Sequence, residues 1–177
     1  MRILVLMGGT SSERDVSLAS GLRIAAALRA RGHSVEAMDT VRGRLTPAEE
    51  QAMLAGGVMR TLPPDRAALV QLGAETLPRT MRDMQGGTPV DVAFLALHGG
   101  QGEDGTIQAL LDLTGVPYTG SGHLASALAM DKDLSKRLFR DAGVQTADWL
   151  MVRAGDAGDW RARAFADPRH RPVLDRG

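Results

Sequence analysis

Two apolar runs, Ile3-Leu4-Val5-Leu6-Met7 and Val92 to Leu97, each break abruptly into a glycine-rich polar turn. The first turn reads Gly8-Gly9-Thr10-Ser11-Ser12-Glu13-Arg14, and the second His98-Gly99-Gly100-Gln101-Gly102-Glu103-Asp104-Gly105-Thr106. A continuous apolar run, as opposed to an alternating one, suits a strand covered on both faces, as in a parallel sheet between helices. After the first turn Leu18, Leu22, Ala25 and Leu28 recur at helical spacing, with Arg29 near that face, its stem on the core and its head toward water. Gly32 ends that helix, and Val35 to Met38 gives a second strand. Strand, helix, strand at this length is a βαβ unit, expected to be right-handed.

The second half follows the same logic. Ile107, Leu110, Leu111 and Thr114 predict a helix after the His98 turn, and Gly115 to Gly120 leaves room for a strand stub. Ser121 is a candidate cap for a helix with Leu124, Ala127 and Leu128 inward, and Asp131 for one with Leu134 and Leu138 inward. Trp149 to Val152 reads as a strand, and Pro172-Val173-Leu174 as the hint of another. Residues 41–89 carry the weakest pattern, although Thr46 followed by Pro47 reads as a cap and a first helical position.

The totals exclude several classes. Lys+Arg and Asp+Glu both number 21, so no net charge favours nucleic acid or an anionic membrane. There is no cysteine, which removes disulfides, thiolate metal sites and cysteine nucleophiles. Five apolar residues before Gly8 are too few for a signal-peptide core or a membrane span. The chain reads as a soluble, cytoplasmic α/β protein.

In an open parallel sheet, ligands bind beyond the carboxyl ends of the strands, so turns after Met7 and Leu97 can face one site. Gly8 and Gly9 let the backbone approach a ligand, and free N–H groups of the next helix favour an anion. Glu13 is a ligand group, or a first-turn acid favoured by the helix dipole, or a capping-box partner of Thr10. His98 is structural or functional, and the small polar residues beside it favour function. Asp104 reads as a helix-start acid, and a metal site from His98, Glu103 and Asp104 lacks a partner cluster. The spacing is not G-x-G-x-x-G and Asp39 discriminates poorly, which argues against a nicotinamide enzyme. Lys132 and Lys136, the two lysines of the chain, are i, i+4 on one helix, either as a solvated cationic face or with Lys132 touching phosphate.

Four blocks, in order, resemble D-alanine–D-alanine ligases: Gly8 to Ser17, His98 to Gly105, Pro117-Tyr118-Thr119-Gly120-Ser121-Gly122, and Ala125-Ser126-Ala127 with Met130-Asp131-Lys132. The resemblance covers about residues 1–150 and implies an ATP-grasp enzyme. Such an enzyme phosphorylates the carboxylate of one D-alanine with ATP, lets the amine of a second attack the acyl phosphate, and supplies the dipeptide to peptidoglycan. The implied fold is a three-layer Rossmann-like (pre-ATP-grasp) parallel sheet. Residues 1–121 would form the substrate-binding domain, and residues 122–177 the truncated beginning of an ATP-grasp domain.

By the same resemblance Glu13 holds the ammonium of the first D-alanine and is the catalytic-site acid. Val16 and Ser17 neighbour it, His98 lies beside the substrate, Gly99 and Gly100 leave room for it, and Lys132 reaches ATP. ATP with Mg2+ (or Mn2+) and a homodimer are implied for the complete enzyme. The chain departs from the pattern at Pro172 to Gly177, which lacks the expected lysine-proline strand and phosphate loop; the magnesium ligands also have no counterpart. These residues alone are therefore expected not to be a competent ligase. The alternative is a non-catalytic module of the same fold that binds a small ligand or dimerises.

Overall fold

The computed structural model describes residues 1–56, 71, 75–76, 78–80, 82–83 and 89–151. Strands β1 (Arg2–Met7), β2 (Ser34–Asp39), β3 (Gly43–Arg44) and β4 (Val92–Leu95) form an open sheet in the order β3-β2-β1-β4. β1 runs parallel to both β2 and β4, with Met7 opposite Asp39 and Leu6 opposite Leu95. The expected parallel sheet therefore gains one antiparallel edge, β3 against β2. The cause is the short return between them, since a parallel neighbour needs a long crossover. The stub at Pro117 to Thr119 exists as a single parallel bridge from Tyr118 to Ala93.

Helices α1 (Arg14–Ala30) and α3 (Thr106–Thr114) cover opposite faces of β1, and α2 (Pro47–Gly56) packs beside α1. The alternation of strand side chains makes this visible in two clusters. Ile3, Val5 and Met7 pack with Leu18, Leu22 and Ala25 of α1, while Leu4 and Leu6 pack with Ile107 and Leu111 of α3. The result is the expected three-layer α/β architecture. Each buried leucine or isoleucine is worth about 1.5–3 kcal/mol relative to exposure. Gly21 lets α1 lie directly on β1, since a Cβ there would come 2.6 Å from Met7 Cβ.

Local chemistry sets the helix ends. Thr46 and Glu49 form a reciprocal capping box ahead of α2, with Thr46 N donating to Glu49 Oε2 at 2.8 Å and Glu49 N to Thr46 Oγ1 at 3.3 Å. The backbone bond from Thr46 holds the Glu49 carboxyl below the usual range. Arg29 does not simply end in water: it donates to both oxygens of the buried Glu50, at 2.6 and 2.9 Å, and so ties α1 to α2. Gly32, at φ +82°, follows the last turn of α1 as expected.

The chain divides into two compact units, Met1–Met130 and Asp131–Gly177. Helix α4 (His123–Met130) closes the first, and α5 (Lys132–Asp141) opens the second. Several inward expectations fail here. Leu124 is 64% exposed, Ala127 is exposed, and α4 buries no residue. Leu134 and Leu138 are also exposed, because α5 buries nothing against the described residues of its own unit. Thr114 likewise is exposed, at the last position of α3 before the Gly115 cap. Asp131 does cap α5, accepting from the N–H groups of Asp133 and Leu134.

Residues 149–151 form no strand. Trp149 instead docks on α5: its Nε1 donates to Asp133 at 2.6 Å, and its ring lies under Lys136 and Arg140. An aromatic ring offered cations and a carboxylate on an adjacent helix has no need of a sheet. Val152 and Pro172 to Leu174 lie outside the described residues.

Candidate functional site

The two turns meet because the strands that deliver them are neighbours, and buried hydroxyls pin them together. The hydroxyl of Ser17, fully buried on α1, accepts from Gly8 N at 2.8 Å and donates to Ala96 O at 2.7 Å. One side chain thus joins the end of β1 to the end of β4. Ser11 adds a second tie: its hydroxyl donates to the carbonyl of His98 at 2.5 Å and accepts from Glu13 N at 3.2 Å.

A buried ion pair braces the first turn from beneath. Arg14 Nη1 donates to the carbonyl of Gly9 at 2.8 Å and to Asp39 Oδ1 at 2.9 Å, and Nη2 donates to Asp39 Oδ2. Asp39 is fully buried at the end of β2, and its Oδ1 also accepts from Val41 N. Its carboxylate is thereby committed to the fold, which removes it as a ribose-binding acid. A Cβ on Gly8, at φ +86°, would lie 2.5 Å from Asp39 Oδ1, so the brace requires glycine there.

Glu13 is not a first-turn residue of α1 but its N-cap, and it makes no side-chain capping bond. The Thr10 capping box does not form, because Ser11 takes the N–H of Glu13. Among the described residues the Glu13 carboxylate has no hydrogen-bond donor, and the residue is exposed. It lies against the second turn: a Cβ on Gly99 would sit 3.1 Å from Glu13 Oε2 and 3.0 Å from Ser11 Cβ. Gly99 has φ +67° and Gly100 φ +49°, so backbone conformation calls for glycine at both, and lack of space does so at Gly99 as well.

Val16, 46% exposed, and Ser20 continue the face of α1 that Glu13 begins, at i+3 and i+7. His98 lies along this face, half-buried, with Nε2 3.4 Å from Ser20 Oγ. The structure thus brings together Glu13, Val16, His98, Gly99 and Gly100 at one rim. Ser17 lies beneath that rim with its hydroxyl already bonded to two backbone groups. Sequence reasoning missed Ser11, Ser20 and the Arg14–Asp39 brace. The helical spacing from Glu13 was the available signal for Ser20, whereas nothing local marks Asp39 as the partner of Arg14.

Asp104 serves as a helix-start acid, with Oδ1 accepting from Thr106 N at 2.9 Å. Among the described residues no group of three His, Asp or Glu side chains is placed to hold a metal. A cleft of about 370 Å³ opens beside the second turn, lined by Leu95, Leu97, Glu103, Gln108, Thr119 and Met130 among others, but not by Glu13 or His98. Near it, His123 Nδ1 lies 2.7 Å from Asp112 Oδ2, and this contact holds the Asp112 carboxyl below its ordinary range.

Within the second unit the two lysines differ. Lys136 Nζ donates to Ala147 O at 2.6 Å and stands over Trp149, so the solvated-face reading fails for it. Lys132 begins α5 as an exposed residue.

Residues 2–121 match the family model described as D-ala D-ala ligase N-terminus. A D-alanine–D-alanine ligase from Desulforudis audaxviator is 40% identical over 161 residues, 91% of this chain and 40% of that protein. Among solved structures, the ligase from Coxiella burnetii superposes with a TM-score of 0.64 at 28% identity, covering 93% of this chain and 49% of that one. The Bacillus anthracis ligase complexed with ATP gives a TM-score of 0.56 at 30% identity, covering 93% and 44%. The chain therefore spans about 40% of the length of the curated relatives it matches.

Proposed function

The chain belongs to the D-alanine–D-alanine ligase family, and on that premise we propose that the rim of Glu13, Val16, His98, Gly99 and Gly100 binds the first D-alanine of an ATP-dependent ligase. One observation carries the reading: a carboxylate with no donor among the described residues is held against Gly99, in the turn that begins with His98. An unpaired carboxylate is suited to an ammonium group, through charge-assisted hydrogen bonds. Glycine at 99 keeps the space beside it open for a ligand as small as alanine. Ser17 supports the rim from within, fixing the strand ends that Glu13 and His98 extend.

ATP, where it binds, supplies the phosphoryl group that activates the carboxylate of the amino acid. Lys132, exposed at the start of α5, suits a phosphate oxygen as a mobile point charge. Mg2+ (or Mn2+) belongs to the same chemistry, and the described residues offer it no three-ligand cluster. For these 177 residues by themselves the proposed activity is amino-acid binding. Dipeptide formation, cell-wall supply, a homodimer and a cytoplasmic location belong to the proposal for the whole protein. No described helix is long and apolar enough to cross a membrane.

The test is a titration of the chain with D-alanine and L-alanine, followed by NMR. Saturable binding of the D form is expected, weakened at least about tenfold in Glu13→Gln, the scale of a lost charged hydrogen bond. Equal affinity in the parent chain and the variant would remove Glu13 from the site. The alternative, a non-catalytic module of the same fold, shares this binding. It differs in predicting that the whole protein shows no D-alanine-stimulated ATP hydrolysis.

A further inference from the structure

We infer that Ser20 is a positioning residue for His98, fixing which ring nitrogen carries a proton and which is left to a ligand. The inference rests on the reading that this rim binds D-alanine, and it extends that reading to a residue outside the two glycine-rich turns.

The argument begins with the proton count of a hydroxyl. Serine has one proton to donate and two lone pairs to offer. Ser20 Oγ donates its proton to the carbonyl of Val16, one turn earlier, at 2.7 Å. Toward His98 Nε2, 3.4 Å away, it has only lone pairs left. The favourable pairing is then Nε2–H donating to Ser20, whatever the charge of the ring. In the neutral ring this leaves Nδ1 as the acceptor, the atom that can take a hydrogen bond from an ammonium group.

The backbone of His98 has little freedom of its own. Its carbonyl is held by Ser11, and its turn is tied to the first through Ala96 and Ser17. What remains is rotation of the side chain, including the flip that would exchange its two nitrogens. Ser20 acts on that rotation. The contact is longer than a mature hydrogen bond, as is common for site contacts that tighten when a ligand arrives. Half-burial leaves water as the competitor for Nε2, and Ser20 meets it from a fixed place on α1.

The experiment uses the 177-residue chain labelled with 15N, its imidazole nitrogens observed without ligand at about pH 8, where an ordinary histidine is neutral. His98 is expected in the Nε2–H form. Ser20→Ala should move its two nitrogens toward a mixed tautomer, and Ser20→Thr, which retains the hydroxyl, should restore them. A His98 spectrum unchanged in Ser20→Ala, or an Nδ1–H form in the parent chain, would overturn the inference.

A double-mutant cycle with D-alanine then separates positioning from simple helix stability. Ser20→Ala should weaken binding about fivefold in the parent chain, and less than about twofold when His98 is already alanine. The same loss in both backgrounds would mean that Ser20 serves only its bond to Val16, and the inference would fall. If the parent chain does not bind D-alanine, the ligand reading fails instead, and the nitrogen shifts alone decide the role of Ser20.

Discussion

The Gly8–Glu13 turn and helix α5 each present a charged group to solvent, Glu13 in one and Lys132 in the other, and they are held by opposite means. The turn stands on buried polar groups: the Ser17 hydroxyl, and the Arg14–Asp39 pair with Asp39 fully enclosed. Among the described residues helix α5 buries none of its side chains and rests on surface contacts that include the Asp131 cap, the Lys136 bond to Ala147 and the docking of Trp149. Buried polar bonds cost much to break and define one geometry. Surface contacts are each worth little and can be exchanged. The difference teaches where this chain fixes a group in place and where it leaves one adjustable. On the proposed function, an acid that meets a small ammonium needs the first kind of support. A lysine that acts as a point charge can accept the second.

Three substitutions bear on that contrast. The largest effect is expected from Arg14→Met, which takes both guanidinium bonds from buried Asp39, leaves it, among the described residues, only the Val41 N–H and Arg42 Nε at 3.9 Å, and should cost about 3 kcal/mol in urea unfolding. A loss under about 1 kcal/mol would mean that the brace is ornamental and that the turn is held from elsewhere. Next is Gly21→Ala, whose added methyl meets Met7 Cβ and should cost about 1–3 kcal/mol through overpacking of α1 on β1. Its D-alanine affinity should fall as well if the position of α1 sets that of Glu13, so unchanged affinity would uncouple the helix from the site. The smallest is Asp131→Ala, worth about 1 kcal/mol for a lost N-cap. Amide exchange should quicken in the first turn of α5 and stay unchanged in β1. Slowed or unchanged exchange at Asp133 and Leu134 would show that α5 is held more firmly than its surface contacts imply.

The layered sheet was legible from Ile3 to Met7 because a strand buried on both sides has no alternation to hide. The meeting of the two turns was legible for a related reason, since both follow such strands. The N-cap position of Glu13 was not, because Thr10 and Ser11 are both competent partners and only three-dimensional proximity to His98 recruits Ser11. Leu124, Leu134 and Leu138 show the limit of periodicity: spacing identifies an apolar face but not whether anything covers it. Trp149 shows another limit. An apolar run that reads as strand became a docking segment, because Lys136, Arg140 and Asp133 offered its ring and its N–H more than a sheet edge would. The antiparallel β3 was hidden for want of length, since two residues carry no pattern.

The Ser17 hydroxyl has a mechanical consequence. With its oxygen shared between Gly8 and Ala96, the loops above it cannot drift independently, and a push on one is transmitted to the other across a single atom. Residues almost ninety positions apart along the chain therefore behave as one jaw. A substitution that displaces the end of either strand would therefore be felt at the start of both turns.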